Sequence, residues 1–353
     1  GKPNEAALRK RLNAIKATKF PWMSEVTKVA PQNAIKNVGV AFQNFFRRGK
    51  QGGKPGYPRF KRKGLHDAFR ADNGPKDANS NAMECTGKTI KLPRCGVVRM
   101  REQLRFTGRT LAATVSKQAD GWYVAILVDT TDCLSGPLHR GTVGVDLGVK
   151  ELATLSTGEV IPSLKPHRAA HARLVRLSRS LSRKQKGSSN RAKAKTKLAK
   201  LHKRIADIRT DALHKLTTKL ATEFDTIAIE DLNVAGMLRN RCLARSIADA
   251  GFSEFRRQLE YKAVMTGAHV HVVDRFFPSS KTCHSCGTIH PMKLSDRVMV
   301  CDCGMVLDRD LNAAMNLKQH AASSAVSACG EESSGSGRKT GTKLASVKQE
   351  VEV

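Results

Sequence analysis

The chain has 353 residues, enough for two or three domains with their own cores, and is 40% hydrophobic but only 5% aromatic. Its 62 Lys and Arg against 31 Asp and Glu leave a formal charge of +31, a self-repulsion that points to a large polyanionic partner, nucleic acid before any other. No run of about 18 apolar residues is present and the opening "GKPNEAALRKRLNAIKATKF" has no apolar segment, so neither a membrane span nor a secretory signal is expected. Four of the nine cysteines share one short window, which fits a reducing compartment, and the expected location is cytoplasmic and nucleoid-associated. Cys85, Cys95, Cys133, Cys242 and Cys329 are scattered and are expected as small buried apolar residues. The first residue is Gly1 rather than methionine, so a trimmed or partial chain is expected.

In chain order, "EAALRKRLNAIKA" and "PQNAIKNVGVAFQNFFRR" place apolar residues at helical spacing over residues 5–48. The stretch "RRGKQGGKPGYPRFKRKG" then breaks the pattern with Gly and Pro and carries eight basic residues from Arg47 to Lys63. Tyr57 and Phe60 within this basic loop are candidates for stacking on bases, the alternative being an ordinary solvated linker. Residues 85–130 alternate in short strands, a small β-barrel or sheet, and "LSGPLHRG" marks a boundary at 134–141. "TVGVDLGVKELATLSTGEVI" reads as a β-meander.

A long basic helical region over 165–222 follows, interrupted at "KGSSN". Between Ile161 and Ala206 it has fifteen Lys or Arg and no acid. Leu198, Leu201, Ile205 and Ile208, continued by Leu213, Leu216 and Leu220, form its apolar face. Solvated faces normally mix signs, so one sign over this length points to phosphate contact. "DTIAIEDLNV" is a buried strand ending in carboxylates, a helix is expected over 244–265, and "AHVHVVDRF" is another strand. After the cysteine window, "DLNAAMNLKQHA" is a helix, and the Ser/Gly-rich tail from 322 is expected to be disordered.

Cys283 and Cys286 form C-x2-C, and Cys301 and Cys303 form C-x-C, tighter than the usual second pair. Joined by a short two-stranded excursion, they predict a zinc ribbon whose four thiolates close a tetrahedral shell, so the ion is structural. The acids predict different chemistry. Asp146 sits inside the apolar run "VGVDLGV", Glu230 ends "TIAIE", and Asp310 opens a helix that Asp308 can cap. Carboxylates in apolar strands are costly unless a cation neutralises them, and an all-oxygen set suits Mg²⁺ or Mn²⁺. Two such ions would support phosphodiester hydrolysis. Each acid taken alone is equally well read as a cap or a surface turn. Arg209, Asp211 and His214 on one helix, and Ser279, Ser280 and Lys281, are lesser candidates for phosphate contact, or else a surface ion-pair set and a lead into the ribbon.

The order "GVDLGVKELATLS", "IAIEDLNVAGM", then "CHSCG", "CDCG" and "DRDLNAAMNL" closely resembles the TnpB (OrfB) family, nucleases of small insertion sequences related to type V CRISPR effectors. "NAIKNVGVAFQNFFRR", "KPGYPRFKRK", "RTDALHKL", "FFPSSKTC" and "VSACGEESSG" extend the likeness over most of the chain. The resemblance implies an α/β multi-domain protein. Its RuvC (RNase H-like) nuclease core would carry an inserted zinc ribbon, an N-terminal helical recognition lobe and a β-rich wedge domain. The corresponding divisions are 1–72 for the recognition lobe with its basic loop, 73–138 for the wedge, and 139–275 for the first nuclease part. The ribbon then takes 276–305, the last nuclease segment 306–321 and the tail 322–353.

By the same likeness the catalytic, magnesium-binding residues are Asp146, Glu230 and Asp310, with Asp308 in support, and zinc is held by the four clustered cysteines. The implied activity is RNA-guided DNA cleavage at a single RuvC site. The partners would be a transposon-derived guide RNA and double-stranded target DNA, the protein acting as a monomer bound to RNA. The rivals are a nuclease-inactive RNA-guided repressor and a transposase acting in DNA recombination. Family members usually carry a strand and helix ahead of the segment that opens this chain, so an N-terminal truncation is expected.

Overall fold

The computed structural model describes residues 4–54, 56–62, 64–73, 83–130, 141–293, 295–329 and 347–352. The expected boundary at 134–140 and most of the tail fall outside these residues. The chain divides into two compact units, residues 1–132 with 342–353, and residues 133–341.

In the first unit, α1 (Glu5–Lys19) begins where the Asn4 side chain accepts the Ala7 N–H at 2.8 Å, and a turn over Pro21–Ser24 leads to α2 (Val29–Lys50). Neither helix buries a residue. The apolar stripe of α2 ends in a cluster of Phe42, Phe45, Phe46 and Tyr57, ring centroids 5.4 to 6.3 Å apart. Tyr57 of the basic loop meets the helix aromatics edge-on yet stays 69% exposed, and Phe60 is 97% exposed. Strand β1 (Ala68–Asp72) comes next, then a meander of β2 (Glu84–Thr86), β3 (Thr89–Leu92) and β4 (Gly96–Arg99), then the hairpin β5 (Arg109–Lys117) and β6 (Trp122–Asp129). The order in the larger sheet is β1, β5, β6 and finally Val347–Glu352, which pairs antiparallel with β6. Ile90, Met100, Ala113, Val124 and Ile126 are among the residues that fill the core under these sheets.

The strand character expected for 85–130 holds, but strands also form outside it. Val347–Glu352 lies in the tail expected to be disordered, and its Val-Lys-Gln-Glu-Val alternation is that of an edge strand.

In the second unit, β7 (Thr142–Leu147), β8 (Glu151–Leu155) and β9 (Val160–Pro162) form an antiparallel meander. Helices α3 (Pro166–Ser182) and α4 (Ser189–Glu223) follow as a hairpin closed by Leu174, Leu201 and Ile205. The Asp249 carboxylate accepts the His167 N–H at 3.0 Å and the Arg168 N–H at 3.2 Å, capping α3 from a distant part of the chain. Beyond α4 lie β10 (Thr226–Glu230), α5 (Val234–Met237), α6 (Ala244–Ala250), α7 (Phe252–Thr266) and β11 (His269–Val273). The helix expected over 244–265 is thus two helices. Gly251, at φ +74, stops α6 and starts α7 in a backbone region that side-chain-bearing residues rarely adopt.

The sheet order is β9, β8, β7, β10, β11, with β10 parallel to both β7 and β11. Central β7 and β10 are covered on both faces and therefore read as near-continuous apolar runs. The core joins Val143, Val145, Leu155, Ile227 and Ile229 to Leu213, Leu216 and Leu220 of α4 and Phe255 and Leu259 of α7. A two-stranded ribbon, β12 (Val298–Val300) and β13 (Val306–Asp308), precedes α8 (Arg309–Cys329), which runs past the expected start of the tail; Val347–Glu352 is β14.

Candidate active site

Asp146 and Glu230 occupy matching places on neighbouring strands. Val145 pairs with Ile229 in the parallel β7–β10 register, so each acid is the next residue along, at the C-terminal end of its strand. Strands in one sheet are about 4.8 Å apart, which puts the two carboxylates within direct electrostatic reach. Helix α8 brings the third acid. It crosses β7 so closely that a Cβ on Gly144 would stand 1.9 Å from the Ala314 carbonyl oxygen and 2.7 Å from the Lys318 nitrogen. Only a glycine permits that approach. Asp308 is the helix cap, its Oδ1 accepting the N–H of Asp310 at 2.9 Å and of Leu311 at 3.2 Å.

The result is a convergence of like charge. The Asp146 carboxyl is pushed up to about 7, first by burial and then by the charges of Asp310 and Glu230, with Arg309 acting in opposition. Its side chain still retains some solvent contact, so the group is desolvated by close packing rather than sealed. Glu230 is raised as well, by burial and by the adjacent Asp231. These donors are all oxygen, the ligand type that hard divalent cations take and thiolate-seeking metals do not.

Next to Glu230 lies a charge cluster that sequence reading did not find. Asp231 accepts from Arg256 Nη1 at 2.6 Å and from Arg275 Nη2, and Arg256 Nε donates to Glu260 at 2.9 Å. The guanidiniums hold the Asp231 carboxyl below its usual range. Both arginines and Glu230 line one cavity of about 370 Å³. The acid pair Glu230-Asp231 was visible in the sequence, but its partners lie 25 and 44 residues away and meet only in the fold.

The four clustered cysteines come together as expected from their spacing, all four sulfurs within 4.8 Å of one another. Cys283 Sγ is 3.7 Å from Cys303 Sγ, and Cys286 Sγ is 3.4 Å from Cys301 Sγ. A tetrahedral zinc with Zn–S near 2.3 Å has sulfur–sulfur edges of about 3.8 Å, so the donor set fits a closed zinc shell. Thr288 hydrogen bonds lower the Cys286 thiol, while its neighbour Cys301, despite a lowering backbone hydrogen bond at Cys303, is raised by burial and by its contact with Cys286, so the two share a proton unequally. His290 Nε2, not anticipated, sits 3.1 Å from Cys301 Sγ.

Two asparagines of α8 fasten the cysteine region to the carboxylates. Asn312 donates to the Thr282 carbonyl at 2.7 Å and accepts the His284 N–H at 3.1 Å. Asn316 donates to the carbonyls of Ser279 and Thr282, both at 2.7 Å. Arg309 adds contacts from its side chain to the Lys293 carbonyl and to Ser280 Oγ.

Among the lesser candidates, Arg209 donates to the Ala248 carbonyl of α6 and Asp211 pairs with Lys215 on its own helix, while at His214 it is the backbone carbonyl, not the ring, that accepts from Lys262. Ser279 is buried, and Ser280 supports Arg309. Of the scattered cysteines, Cys85 is partly buried as expected, but Cys95 and Cys242 are exposed. Cys95 lies in a turn beside β4 and Cys242 in the loop before α6, where neither strand nor helix has a face to bury.

The fold class is therefore mixed α/β, with a cysteine cluster of metal-binding geometry set beside a cluster of acids. The profile of the IS605 OrfB family, described as "Probable transposase", matches residues 125–241, and that of the Cas12f1-like TNB domain matches 252–317. A Streptomyces pristinaespiralis protein named "Putative RNA-guided DNA endonuclease" is 40% identical over 95% of this chain and 81% of its own length. The Escherichia coli K12 protein of the same description, InsQ, is 36% identical over 89% of this chain and 79% of its own. In structure, the chain resembles the protein in a cryo-EM structure of a Cas12f1–sgRNA–target DNA complex. The TM-score is 0.56 over 90% of this chain and 76% of that one, at 15% identity, a likeness of fold. The chain belongs to the TnpB (OrfB) family.

Proposed function

We propose that the protein is an RNA-guided DNA endonuclease of a transposable element, cutting target DNA by divalent-metal phosphodiester hydrolysis at one site formed by Asp146, Glu230 and Asp310. The observation that carries this is the placement of Asp146 and Glu230 one residue beyond the paired Val145 and Ile229 on neighbouring strands, with the helix that opens at Asp310 packed across β7 at Gly144. The core is read as RuvC-type, or RNase H-like. In its support, a three-stranded antiparallel meander is extended by two parallel strands, with acids on the first strand, the fourth and the final helix. The names of the relatives support guide RNA and target DNA as partners, and the charge of +31 supports a nucleic-acid complex. We read the protein as a cytoplasmic, nucleoid-associated monomer on its RNA; no helix among the described residues is long and apolar enough to cross a membrane.

In this reading the three carboxylates would hold Mg²⁺ or Mn²⁺, which as a pair would supply activation of a water and charge neutralisation at the leaving oxygen. The protein supplies the geometry. Strands β7 and β10 fix two of the carboxylates on a rigid sheet, the Asp308 cap fixes the first turn of α8, and Arg309 moderates the charge on Asp146. Cys283, Cys286, Cys301 and Cys303 hold a structural zinc that keeps the ribbon folded against that turn.

The test is cleavage of a target plasmid by the protein with its co-purified RNA, with Mg²⁺ or with EDTA. Wild type is expected to cut only with metal. Asp146→Ala, Glu230→Gln and Asp310→Ala should each reduce cutting to background while leaving RNA and DNA binding intact. Binding without cutting by wild type would support the repressor reading, and joined products the transposase reading suggested by the family description.

A further inference from the structure

The cavity beside Glu230 has features that the hydrolytic reading does not use. Its volume of about 370 Å³ lies at the small end of ligand pockets and suits one nucleotide rather than a base pair. Its lining combines apolar residues, among them Leu147, Ile229, Val234 and the buried Phe252, with Arg256 and Arg275. Both guanidiniums are pinned to one carboxylate, Asp231, yet remain 38% and 44% exposed. Of the five N–H groups on each arginine, these contacts engage two on Arg256, through Asp231 and Glu260, and one on Arg275. Asp231 and Glu260 offset these two positive charges, the third lining arginine, Arg257, is paired with Glu254, and Glu230 adds a negative charge. The pocket is therefore no general anion sink. It offers directed donors in a fixed frame, which is what positioning a phosphodiester requires.

The residue after Arg275 is Phe276, whose side chain is 85% exposed. The exposure is built in. The Phe276 N–H is held by Asp274 Oδ1 at 2.8 Å, and Phe277 turns inward onto His320 with centroids 5.0 Å apart. A bare ring next to a guanidinium on a fixed turn is the combination used for single strands, where bases stack on aromatics while basic groups follow the backbone.

We propose that this cavity is a one-nucleotide pocket for the single DNA strand being cut. Arg256 and Arg275 are phosphate-positioning residues held by Asp231, and Phe276 is a stacking face for the neighbouring base. The inference rests on the nuclease reading, but its binding step can be measured apart from cutting.

The experiment uses the full protein with its co-purified RNA and a short single-stranded deoxyoligonucleotide carrying one 2-aminopurine, titrated in Ca²⁺ for binding and cut in Mg²⁺ for rate. Wild type is expected to quench the 2-aminopurine on binding. Arg275→Ala and Asp231→Asn should weaken binding about tenfold, with the salt slope reduced by about one for the arginine. Phe276→Ala should lose the quenching and Phe276→Trp should restore it. In Mg²⁺ the arginine variant should raise KM more than it lowers kcat, and Arg275→Lys should recover part of the affinity; a merely structural role would move neither. Unchanged affinity and quenching in all three loss variants, melting as wild type does, would overturn the pocket while leaving the nuclease reading in place. Wild type that binds and quenches but never cuts in Mg²⁺ would sink the nuclease reading and not the pocket.

Discussion

At the scale of single residues, the electrostatic strain falls on Asp146. Its carboxyl is raised from the ordinary 3.8 to about 7 by burial and by like charges. A group raised on folding adds stability that is full below pH 3.8 and is lost as the pH climbs through about 7. The rise corresponds to at most about 4 kcal/mol of repulsion and desolvation. Asp146→Asn, which carries no charge, is therefore expected to melt higher than wild type at pH 8 in EDTA, with the gap closing towards pH 4. Adding Mg²⁺ should raise the wild-type Tm more than that of the variant. Thermal melts at the two pH values, with and without metal, decide this; a variant that melts lower than wild type at pH 8 in EDTA would show that the acids do not strain the fold. Asp146 and Glu230 were legible as carboxylates in apolar strands, and Asp310 as an acid opening a helix. Asp231 was visible only as a neighbour of Glu230, because nothing in its local sequence names Arg256 and Arg275 as its partners.

At the scale of elements, the decisive contact is α8 on β7. The space at Gly144 is filled by the Ala314 carbonyl, and Ala313, Ala314, Leu317 and Ala321 present a small, buried face to the sheet. Gly144→Ala must separate the two backbones, at a cost of about 1–3 kcal/mol or more. It should lower nuclease activity as well as Tm, since α8 carries Asp310. Gly39→Ala, in open space on α2, is the contrast and should be neutral or stabilising by up to about 1 kcal/mol. Parallel melts and cleavage assays would expose an error if both variants behaved alike. The ribbon hangs on the same helix through Asn312 and Asn316. Cys283→Ser is expected to lose one tightly held zinc per chain, read by metal analysis, and with it the protease resistance of residues 283–308. An undiminished zinc content would refute the four-thiolate shell. Periodicity identified most of these elements, but it missed the break at Gly251, where a positive-φ glycine interrupts a pattern that stays helical on both sides.

At the scale of the whole molecule, the charge is carried in separate places. The helices α3 and α4 hold most of one long run of basic residues, with Lys193, Lys195, Lys197 and Lys200 all exposed. Below them Leu174, Leu201 and Ile205 close the hairpin, so the apolar face docks while the basic one stays open. Replacing the four lysines with glutamine should leave Tm nearly unchanged. The slope of log affinity against log salt for guide RNA should become shallower by about three to four. Binding isotherms at several salt concentrations measure it, and an unaltered slope would place the phosphate contacts elsewhere.

By itself the sequence determined what depends on neighbours along the chain. The helical and strand periods, the paired cysteines, the acids in apolar runs and the one-signed basic stretch are all local patterns, and motif order carried the family resemblance with them. Tertiary structure alone decided what depends on residues far apart in sequence. It packed α8 onto β7 across Gly144, clamped two arginines on Asp231, capped α3 with Asp249 and added Val347–Glu352 to a distant sheet. The physical reason is range. Local preferences are written into backbone sterics and side-chain spacing, whereas a charge or a missing Cβ acquires its meaning only when folding sets another part of the chain against it.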